Sequence, residues 1–411
     1  FNKFGEKISS LFWEFPRYSE PKIFNFNSGF RKIDRELTHS VRSELISDVP
    51  ICSFLSGGID SALISFYANK EMEVPLRSIT IGSRSMKHDE SSDARKYGRL
   101  IGVQHTIREM TANDASNMLN DIGKSMREPF ADFSIFPTYL VSKIASENAK
   151  VALSGDGADE LFFGYERFWS IVKNQNIQKM PYFIKYGIYG IDKIISNNKH
   201  INGVSLFPSQ SEAHFNMHSR FDSNLIKKIA PDLGSILAYD TNIYNYNKVE
   251  NELDLLHEIR KAEFYGMMQK TLRKVDLASM ANSIEVRVPF LKKSFIEAAL
   301  SLDPYLSFGP NKGKVSGKKV ILKKILQSKL PDSQINNTKK GFSVPFSNWI
   351  RRELSNSLKE IILDKSLVQY FGMDGYQIEK VFNAHCKKNQ DYKWPIFTIY
   401  SLFNWKNNLQ N

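Results

Sequence analysis

Residues 51–61 read Ile-Cys-Ser-Phe-Leu-Ser-Gly-Gly-Ile-Asp-Ser, and this stretch decides the fold. Its apolar beginning predicts a buried strand, and the residues that follow, 62–68, favour a helix. Between them, two glycines remove side chains where a ligand must approach the backbone closely. Serine hydroxyls, free N–H groups of the first helical turn and the helix dipole all favour an anion there. The stretch therefore predicts a loop that binds pyrophosphate between a strand and a helix.

The loop is not a Walker P-loop, because it lacks the lysine that reaches the β- and γ-phosphates in that motif and has Asp60 instead. A carboxylate among phosphates requires a divalent cation between them, and oxygen ligands suit Mg²⁺. The residues thus predict a pyrophosphate leaving group, with ATP cleaved between its α- and β-phosphates. Taken alone, the loop also fits an ordinary strand–turn–helix whose glycines serve close packing.

A second glycine loop, residues 154–160, follows a short apolar run and reads Ser-Gly-Asp-Gly-Ala-Asp-Glu. It supplies the carboxylates of Asp156, Asp159 and Glu160. Carboxylates beside a buried strand are costly unless they are solvated or bind a metal. In isolation, the favoured interpretation is a solvated helix N-terminus whose acidic residues complement the dipole. Together with Asp60, a shared metal site is favoured.

The spacing of apolar residues predicts strands that alternate with helices through the first part of the chain. Such alternation indicates right-handed βαβ units and a parallel sheet, in which ligands bind beyond the carboxyl ends of the strands. Both glycine loops follow predicted strands, so they could face one ligand. Besides the strands before these loops, predicted strands cover residues 76–82 and 103–107, and predicted helices cover residues 31–45, 89–101, 114–126 and 138–148.

After about residue 165 the alternation stops and lysine-rich helical patterns take over. The longest covers residues 253–281, and others cover 354–363 and 376–384. We expect an α/β fold with a parallel-sheet core and a helical C-terminal half packed on the ligand edge. The predicted division is an N-terminal linker over residues 1–28, an ATP-binding core over 29–172 and a helical part over 173–411.

The composition of the 411 residues is that of an ordinary globular protein, with 42% hydrophobic and 24% charged residues. The net charge of +12 fits a lysine-rich surface or attraction of anionic substrates such as nucleotides. No arginine-rich tail or basic aromatic stripe points to nucleic acid. No run of about 20 apolar residues predicts a membrane span, and the N-terminus lacks a signal-peptide core. Because the two cysteines, Cys52 and Cys386, form no disulfide framework, we expect a cytoplasmic protein. From the charge and hydropathy patterns, we expect no nucleic-acid and no membrane partner.

Four stretches resemble a known enzyme family. Residues 56–61 match the Ser-Gly-Gly-x-Asp-Ser loop of the PP-loop (N-type) ATP pyrophosphatases. Residues 154–165, Ser-Gly-Asp-Gly-Ala-Asp-Glu-Leu-Phe-Phe-Gly-Tyr, and 279–291, Ser-Met-Ala-Asn-Ser-Ile-Glu-Val-Arg-Val-Pro-Phe-Leu, resemble the synthetase domain of glutamine-dependent asparagine synthetases. Residues 339–345, Lys-Lys-Gly-Phe-Ser-Val-Pro, are similar to that family's late lysine motif. The stretches occur in the family's order.

The resemblance implies an adenine nucleotide α-hydrolase-like core and an ATP-dependent ligase. ATP would adenylate the β-carboxylate of aspartate with release of pyrophosphate, and ammonia would attack the acyl-adenylate to give asparagine and AMP. Lys339 would stabilise negative charge on the reacting groups, and Asp156 stands where many members have the longer glutamate. By position, the resemblance implies the catalytic residues Lys339 and Asp156, the Mg²⁺ ligands Asp60 and Asp159, and ATP contacts from Phe54, Ser56, Gly57, Gly58, Asp60, Ser61, Ile81, Ser154 and Gly155.

The chain departs from the family pattern in two ways. Nothing ahead of the first loop resembles the family's glutaminase domain, which begins with a catalytic cysteine, whereas this sequence begins with Phe1. Ammonia would then come from a glutaminase domain that precedes Phe1 or from a separate subunit. The sequence also leaves open whether the chain forms a homodimer. Three residues also differ from the family pattern: Leu277 stands in place of an arginine, Lys292 in place of an aspartate and Asn337 in place of an arginine. These differences leave the identity of the acceptor carboxylate open.

Three hypotheses about function follow. Amidation of aspartate is the leading one. A second is that the chain amidates or cyclises another carboxylate, on a peptide, a sugar acid or a β-amino acid, as relatives such as β-lactam synthetases and lasso-peptide cyclases share the scaffold. A third, a non-catalytic nucleotide-binding protein, is disfavoured because Asp60, Asp159 and Lys339 are all present.

Two further motifs are set aside. His214 and His218 have the i, i+4 spacing of a helical metal pair, but no cysteine or third ligand lies near in sequence, so no zinc site is expected. Residues 309–314 are rich in glycine and lysine, but their spacing is wrong for a nucleotide loop and no Ser or Thr follows Lys314. They are interpreted as part of a basic loop, residues 309–318, that could close over the ATP site.

Overall fold

A parallel sheet forms the centre of the molecule. The computed structural model describes residues 5–7, 9, 13–16, 21–83, 89–196, 207–233, 242–309, 317–331 and 344–409. The strands are β1 (Ile51–Phe54), β2 (Arg77–Ser83), β3 (Gln104–Met110), β4 (Val151–Leu153) and β5 (Glu285–Arg287). Every neighbouring pair is parallel, and the order across the sheet is β3-β2-β1-β4-β5. The predicted α/β class is confirmed.

The central strand β1 lies between β2 and β4, so that Cys52 is paired with Arg77 on one side and with Ala152 on the other. β1 and β4 are short apolar runs because a parallel sheet is covered by helices on both faces. Ser53 is the buried polar exception in β1, and its hydroxyl is satisfied by the Ser78 hydroxyl at 2.7 Å. Since β1 and β4 are adjacent and parallel, their carboxyl ends lie side by side. The loops that leave them therefore meet at one edge of the sheet.

Helices cover both faces of the sheet. One face packs on α4, α5, α12 and the C-terminal helices α15, α16, α18 and α19, and the other packs on α1, α2, α13 and α14. Among the described helices, none has the length and apolar character needed to cross a bilayer. The helices are α1 (Phe26–Glu44), α2 (Ile59–Glu71), α3 (Ser91–Ile101), α4 (Ala112–Ser125), α5 (Ile135–Ser146), α6 (Ala158–Leu161), α7 (Glu166–Gln178), α8 (Tyr182–Ser196), α9 (Gln210–His218), α10 (Ser223–Ile229), α11 (Glu252–Tyr265), α12 (Met267–Met280), α13 (Lys293–Leu300), α14 (Val320–Lys329), α15 (Phe346–Arg351), α16 (Ser355–Ile362), α17 (Lys365–Tyr370), α18 (Gly375–Cys386) and α19 (Lys393–Asn408).

The strand β5 is absent from the sequence-based prediction. It has three residues, it begins with the exposed Glu285, and it pairs with β4, which lies more than a hundred residues earlier in the chain. A run this short carries no alternation from which a strand can be recognised. Only pairing with β4 makes it a strand, so the helical half of the chain contributes one edge of the sheet.

The predicted long helix over residues 253–281 is two helices, α11 and α12, separated at Gly266. The backbone there has φ −100° and ψ −85°, which is not helical. A Cβ atom on Gly266 would lie 2.8 Å from the carbonyl oxygen of Ala262 and 2.8 Å from the Tyr244 hydroxyl. Because no side chain fits, glycine allows the change of direction that packs α12 against α5.

Part of the predicted N-terminal linker packs on the helical half. Phe15 is buried against Phe264, and its backbone N–H donates to the Tyr265 hydroxyl at 2.9 Å. Further along, Ile23 forms a parallel bridge with Leu302. These contacts order described residues ahead of α1. The division at residues 28 and 172 stays a prediction.

Candidate active site

The first glycine loop is held by its own hydroxyl groups. The backbone N–H of Ser56 donates to Ser61 Oγ at 2.9 Å, and the N–H of Gly58 donates to Ser56 Oγ at 3.1 Å. A Cβ atom on Gly57 would lie 2.9 Å from Cβ of Asp93, on α3. The loop therefore needs a glycine for packing as well as for ligand access. Both interpretations of this loop from the sequence are compatible with its geometry.

The second loop lies directly against the first. A Cβ atom on Gly155 would lie 2.8 Å from the backbone nitrogen of Ser61 and 3.0 Å from the carbonyl carbon of Asp60. Next along the loop, Ser154 Oγ donates to Asp156 Oδ2 at 2.5 Å. Gly157 has φ +87°, in the left-handed region that favours glycine. The two loops thus form one continuous surface at the carboxyl ends of β1 and β4.

Asp60 and Asp159 converge on one cation, the side chain of Lys319. Lys319 Nζ lies 2.5 Å from Asp60 Oδ2 and 2.6 Å from Asp159 Oδ1. The lysine is only 6% exposed. Burial opposes its charge, but Asp159 and Asp60 raise the pKa of Lys319 above its usual value. The carboxylates predicted as Mg²⁺ ligands therefore face the same point in space, and a positive charge already sits there.

This donor set fits Mg²⁺. Two ionised carboxylates meet beside a loop with the serine hydroxyls and backbone N–H groups that phosphates require, and Mg²⁺ in nucleotide sites takes one or two carboxylates together with phosphate oxygens. Gly164 supports the arrangement, because a Cβ atom there would clash with the Asp159 carboxylate and with the Lys319 side chain. The fit rests on the direction of the two carboxylates, which the sequence could not specify.

A cavity of about 370 Å³ opens at this edge of the sheet. Ile81 is predicted as an ATP contact but does not line the cavity: it is buried in the core, and Ile79 on the same strand takes the lining position. Lys339 lies outside the described residues. The other predicted residues all line the cavity, namely Phe54, Ser56, Gly57, Gly58, Asp60, Ser61, Ser154, Gly155, Asp156 and Asp159.

Four lysines and several polar residues of the cavity wall escaped the prediction. Lys318 and Lys319 come from the residues before α14, Lys323 from α14 itself and Lys274 from α12. Lysine is common in this chain, and spacing alone does not distinguish these four from surface residues. The one nearby sequence feature that distinguishes Lys318 is the glycine directly before it, Gly317. In the structure, a Cβ atom on Gly317 would meet the backbone of Gly309. Residues 310–316 of the predicted basic loop lie outside the described part of the chain.

Glu160 and Tyr165 form a buried pair in the cavity wall. The Tyr165 hydroxyl donates to Glu160 Oε1 at 2.7 Å, and Glu160 is 2% exposed. Burial, and next the neighbouring Asp159, raise the pKa of Glu160 to about 7. Behind the pair, the Arg167 guanidinium lies 3.7 Å from the centre of the Tyr165 ring. Both residues lie inside the stretch that resembles the synthetase family; the sequence singled out Glu160 only as one of three loop carboxylates and did not single out Tyr165.

The structure brings a third potential ligand, Glu263 on α11, to the histidine pair of α9. Glu263 Oε1 lies 2.7 Å from His214 Nε2 and 2.9 Å from His218 Nε2. The donor atoms of the three residues lie within 4.8 Å of one another, as in a metal site. Arg167, however, pairs with both oxygens of the same carboxylate. Its charge compensates that of Glu263, so this cluster is satisfied as a hydrogen-bonded network that joins α7, α9 and α11.

Two departures from the family pattern lie away from the cavity. Leu277, on α12, packs against the hydrophobic core, and Lys292 pairs with Glu44 of α1 at 3.2 Å. Neither side chain lines the cavity. Asn337 lies outside the described residues. Leu277 therefore contributes to core packing and Lys292 to an ion pair with α1, and the acceptor stays open.

Comparison with known proteins agrees with this geometry. The chain is 27% identical over 372 residues to asparagine synthetase [glutamine-hydrolyzing] 1 of Bacillus subtilis (strain 168), covering 89% of this chain and 57% of that protein. It is 26% identical over 345 residues to a putative asparagine synthetase [glutamine-hydrolyzing] of Mycobacterium tuberculosis (strain ATCC 25618 / H37Rv), covering 82% of this chain and 51% of that protein. It is also 22% identical over 382 residues to amidase chyE of Penicillium rubens (strain ATCC 28089 / DSM 1075 / NRRL 1951 / Wisconsin 54-1255), covering 82% of this chain and 55% of that protein.

The chain spans little more than half the length of the curated relatives it matches. The family model for asparagine synthase matches residues 32–407, which include both glycine loops, β5 and the lysines of the cavity wall. The resemblance inferred from the four sequence stretches is thereby confirmed. From the converging carboxylates, the paired loops and this match over nearly the whole chain, it follows that the chain belongs to the asparagine synthase family.

Proposed function

We propose that this chain is the ATP-dependent, amide-forming part of a synthetase, which activates a carboxylate as an acyl-adenylate. The observation that carries the proposal is the convergence of Asp60 and Asp159 on one cation position beside the loop of residues 56–61. The glycines and serines of this loop at the N-terminus of α2 would bind pyrophosphate, while the carboxylates would hold Mg²⁺. Bound there, Mg²⁺ would neutralise charge on the phosphate oxygens.

In the first step, an oxygen of the acceptor carboxylate attacks the α-phosphorus of ATP. A bond forms between that oxygen and phosphorus, and the bond from the α-phosphorus to the bridging oxygen of pyrophosphate breaks. Two anions must approach each other, and we propose that the cavity lysine Lys319, which pairs with Asp60 and Asp159, reduces their repulsion. We further propose that Lys339 stabilises the same developing charge, so that Lys339→Ala lowers amide synthesis.

In the second step, ammonia attacks the acyl carbon of the adenylate. A carbon–nitrogen bond forms, the bond from carbon to the AMP oxygen breaks, and the nitrogen loses a proton. The reaction needs exclusion of water, which would hydrolyse the adenylate. The cavity lies under helical elements from the second half of the chain, since Met267, Thr271 and Lys318 line it together with the loops. Asp156, held by Ser154, is proposed to assist at the reacting carbonyl.

We propose the aspartate β-carboxylate as the acceptor, with asparagine and AMP as products. The bacterial relatives named as asparagine synthetases favour this acceptor. An amide-forming reaction on another carboxylate is the alternative, and the similarity to a protein named as an amidase favours that one. Ammonia is proposed to come from a glutaminase domain or subunit. ATP, the acceptor and ammonia would all be small-molecule partners.

The test is Mg²⁺-dependent exchange of labelled pyrophosphate into ATP, followed with aspartate and with other acids. Exchange with aspartate supports the first acceptor, and exchange only with another acid supports the alternative. Asp60→Asn should lower exchange by about 100-fold or more, because charge on the phosphates is no longer compensated. Asp48→Asn, an exposed carboxylate just before β1, is the matched control and should keep the wild-type rate. Wild-type exchange in Asp60→Asn with retained circular dichroism would contradict the metal assignment.

A further inference from the structure

Helix α8 turns large apolar side chains toward solvent. Every other described helix exposes at most one such side chain, whereas α8 exposes five. They are Tyr182, Phe183, Ile184, Tyr186 and Ile191. A group of exposed apolar side chains on one element is typical of a surface that binds a partner.

The five side chains share one face of the helix. At 3.6 residues per turn they fall within an arc of about 200°, and the other two residues on that arc are Gly187 and Gly190. The one lysine within residues 182–191, Lys185, points away from this face. It is buried, and its Nζ donates to the carbonyl oxygen of Phe207 at 3.2 Å. A surface helix normally has the opposite arrangement, with charge outward and apolar side chains inward.

The segment that carries this face is basic. Residues 173–199 contain five lysines and one acidic residue, Asp192. Lys173 on α7 and Lys179 just after it are exposed. The chain as a whole has a net charge of +12, so a second copy would be repelled and an anionic partner attracted. Apolar side chains together with lysines are the combination found in helices that bind anionic lipid.

We propose that α8 binds an anionic lipid surface, with the helix in the plane of the membrane and its exposed face in the headgroup region. Phe183 and Tyr186 suit this depth, because aromatic rings are favoured at the boundary between acyl chains and water. The lysines would pair with headgroup phosphates. The expectation of no membrane partner rests on the absence of a spanning run, and a helix in the plane of the membrane needs none. No residue of α8 lines the cavity, so the inference is independent of the proposed function.

Co-sedimentation of the full chain with lipid vesicles tests the proposal. The chain should bind phosphatidylcholine vesicles that contain about one third phosphatidylglycerol, and high salt should weaken the binding. Phe183→Ser/Tyr186→Ser should lower the partition coefficient by about 10-fold or more, because two rings no longer leave water. Lys173→Gln/Lys179→Gln should lower it by about 10-fold on these vesicles and leave it unchanged on pure phosphatidylcholine.

Phe24→Ser/Tyr376→Ser is the matched control. It removes the same two residue types at positions that are 62% and 70% exposed, against 74% for Phe183 and 60% for Tyr186. This variant should bind anionic vesicles as the wild type does. Because all four side chains are exposed, both double variants should keep the circular dichroism and the urea midpoint of the wild type.

Several results would overturn the proposal. One is a chain that does not bind anionic vesicles, and another is unchanged binding in Phe183→Ser/Tyr186→Ser. An equal loss of binding in the control variant would show that the contact is not specific to α8. Sedimentation velocity without vesicles should show no self-association through this face. A dimer that Phe183→Ser/Tyr186→Ser abolishes would instead identify a second copy as the partner.

Discussion

Lys319 places its ammonium between two carboxylates from a backbone position with φ +50°, in the left-handed region that L-residues rarely adopt. Such a conformation costs about 1–3 kcal/mol and persists when the surroundings enforce it. Here the enforcing contacts are the two ion pairs and the bond from the Lys319 N–H to the Phe162 carbonyl oxygen at 3.2 Å. The ammonium compensates two charges of the same sign, those of the buried Asp159 and the half-buried Asp60, which would otherwise repel each other.

Removing that ammonium should destabilise the fold. Lys319→Met removes the ammonium that pairs with both Asp60 and Asp159, and we expect the free energy of unfolding to fall by about 3–5 kcal/mol. Because both carboxylates fit Mg²⁺, added Mg²⁺ should restore part of the loss. Urea unfolding with and without Mg²⁺ measures both effects. An unchanged midpoint in the absence of Mg²⁺ would show that the ion pairs contribute nothing.

Gly155 gives a second prediction at this scale. A Cβ atom there would lie 2.8 Å from the Ser61 nitrogen, so Gly155→Ala should push the two glycine loops apart and lower pyrophosphate exchange by about 10-fold or more. Gly190→Ala is the matched control, because a Cβ atom at that position on α8 would meet nothing within 4 Å. Equal activity of the two variants would mean that contact between the loops is not required.

At the scale of elements, buried charges tie three helices behind the cavity. Arg167 on α7 pairs with Glu263 on α11, and Glu263 also binds the two histidines of α9. Arg167 in turn stacks on Tyr165, whose hydroxyl binds Glu160 in the cavity wall. The network therefore links the end of the second glycine loop, through Glu160, to α7, α9 and α11.

The network should make stability depend on pH. Burial lowers the pKa of His218 to about 4, although the bond to Glu263 opposes this. The unfolded chain has a value of about 6.5, so it binds more protons than the folded chain between these limits. The free energy of unfolding should therefore decrease as the pH falls from about 6.5 to about 4, by about 3 kcal/mol for this residue.

The measurement is urea unfolding across that pH range for the wild type and for His218→Gln, which cannot be protonated. The wild type should lose more stability than the variant as the pH falls. Parallel curves for the two proteins would mean that His218 is not held neutral by its surroundings.

At the scale of the whole molecule, the two halves of the chain are interlocked. The edge strand β5 comes from the second half, and Phe15 near the beginning is buried against α11. The cavity likewise takes its walls from both halves, with the loops from the first and Lys274 and Lys319 from the second. Neither half completes the site alone.

We therefore expect one cooperative unfolding transition. Three of the five tryptophans, Trp349, Trp394 and Trp405, lie in the second half, so a Trp13→Phe/Trp169→Phe variant reports on that half by fluorescence, while hydrogen exchange of β1 and β2 amides reports on the first. The two probes should give the same urea midpoint, as in two-state unfolding. Two separate midpoints would instead support the predicted boundary near residue 172 as one between independent domains.

The sequence by itself determined the fold class and most of the phosphate-binding end of the site. Apolar runs that end in Ser-Gly-Gly-Ile-Asp-Ser and Ser-Gly-Asp-Gly predict strands and turns because the signal is local: short strands, glycines and hydroxyls lie next to one another in the chain. The same locality made Asp60 and Asp159 stand out in the sequence; both line the cavity, and their role as Mg²⁺ ligands stays a prediction.

Only the tertiary structure decided which cation the carboxylates meet, which lysines line the cavity and where the fifth strand lies. Lys319 is one of many lysines and lies about 260 residues after Asp60, so no local pattern links them. Glu263 reaches the histidine pair from 45 residues away, and β5 becomes a strand only by pairing with β4. Such contacts depend on how distant elements pack, and packing is a property of the folded chain that hydrophobic periodicity does not encode.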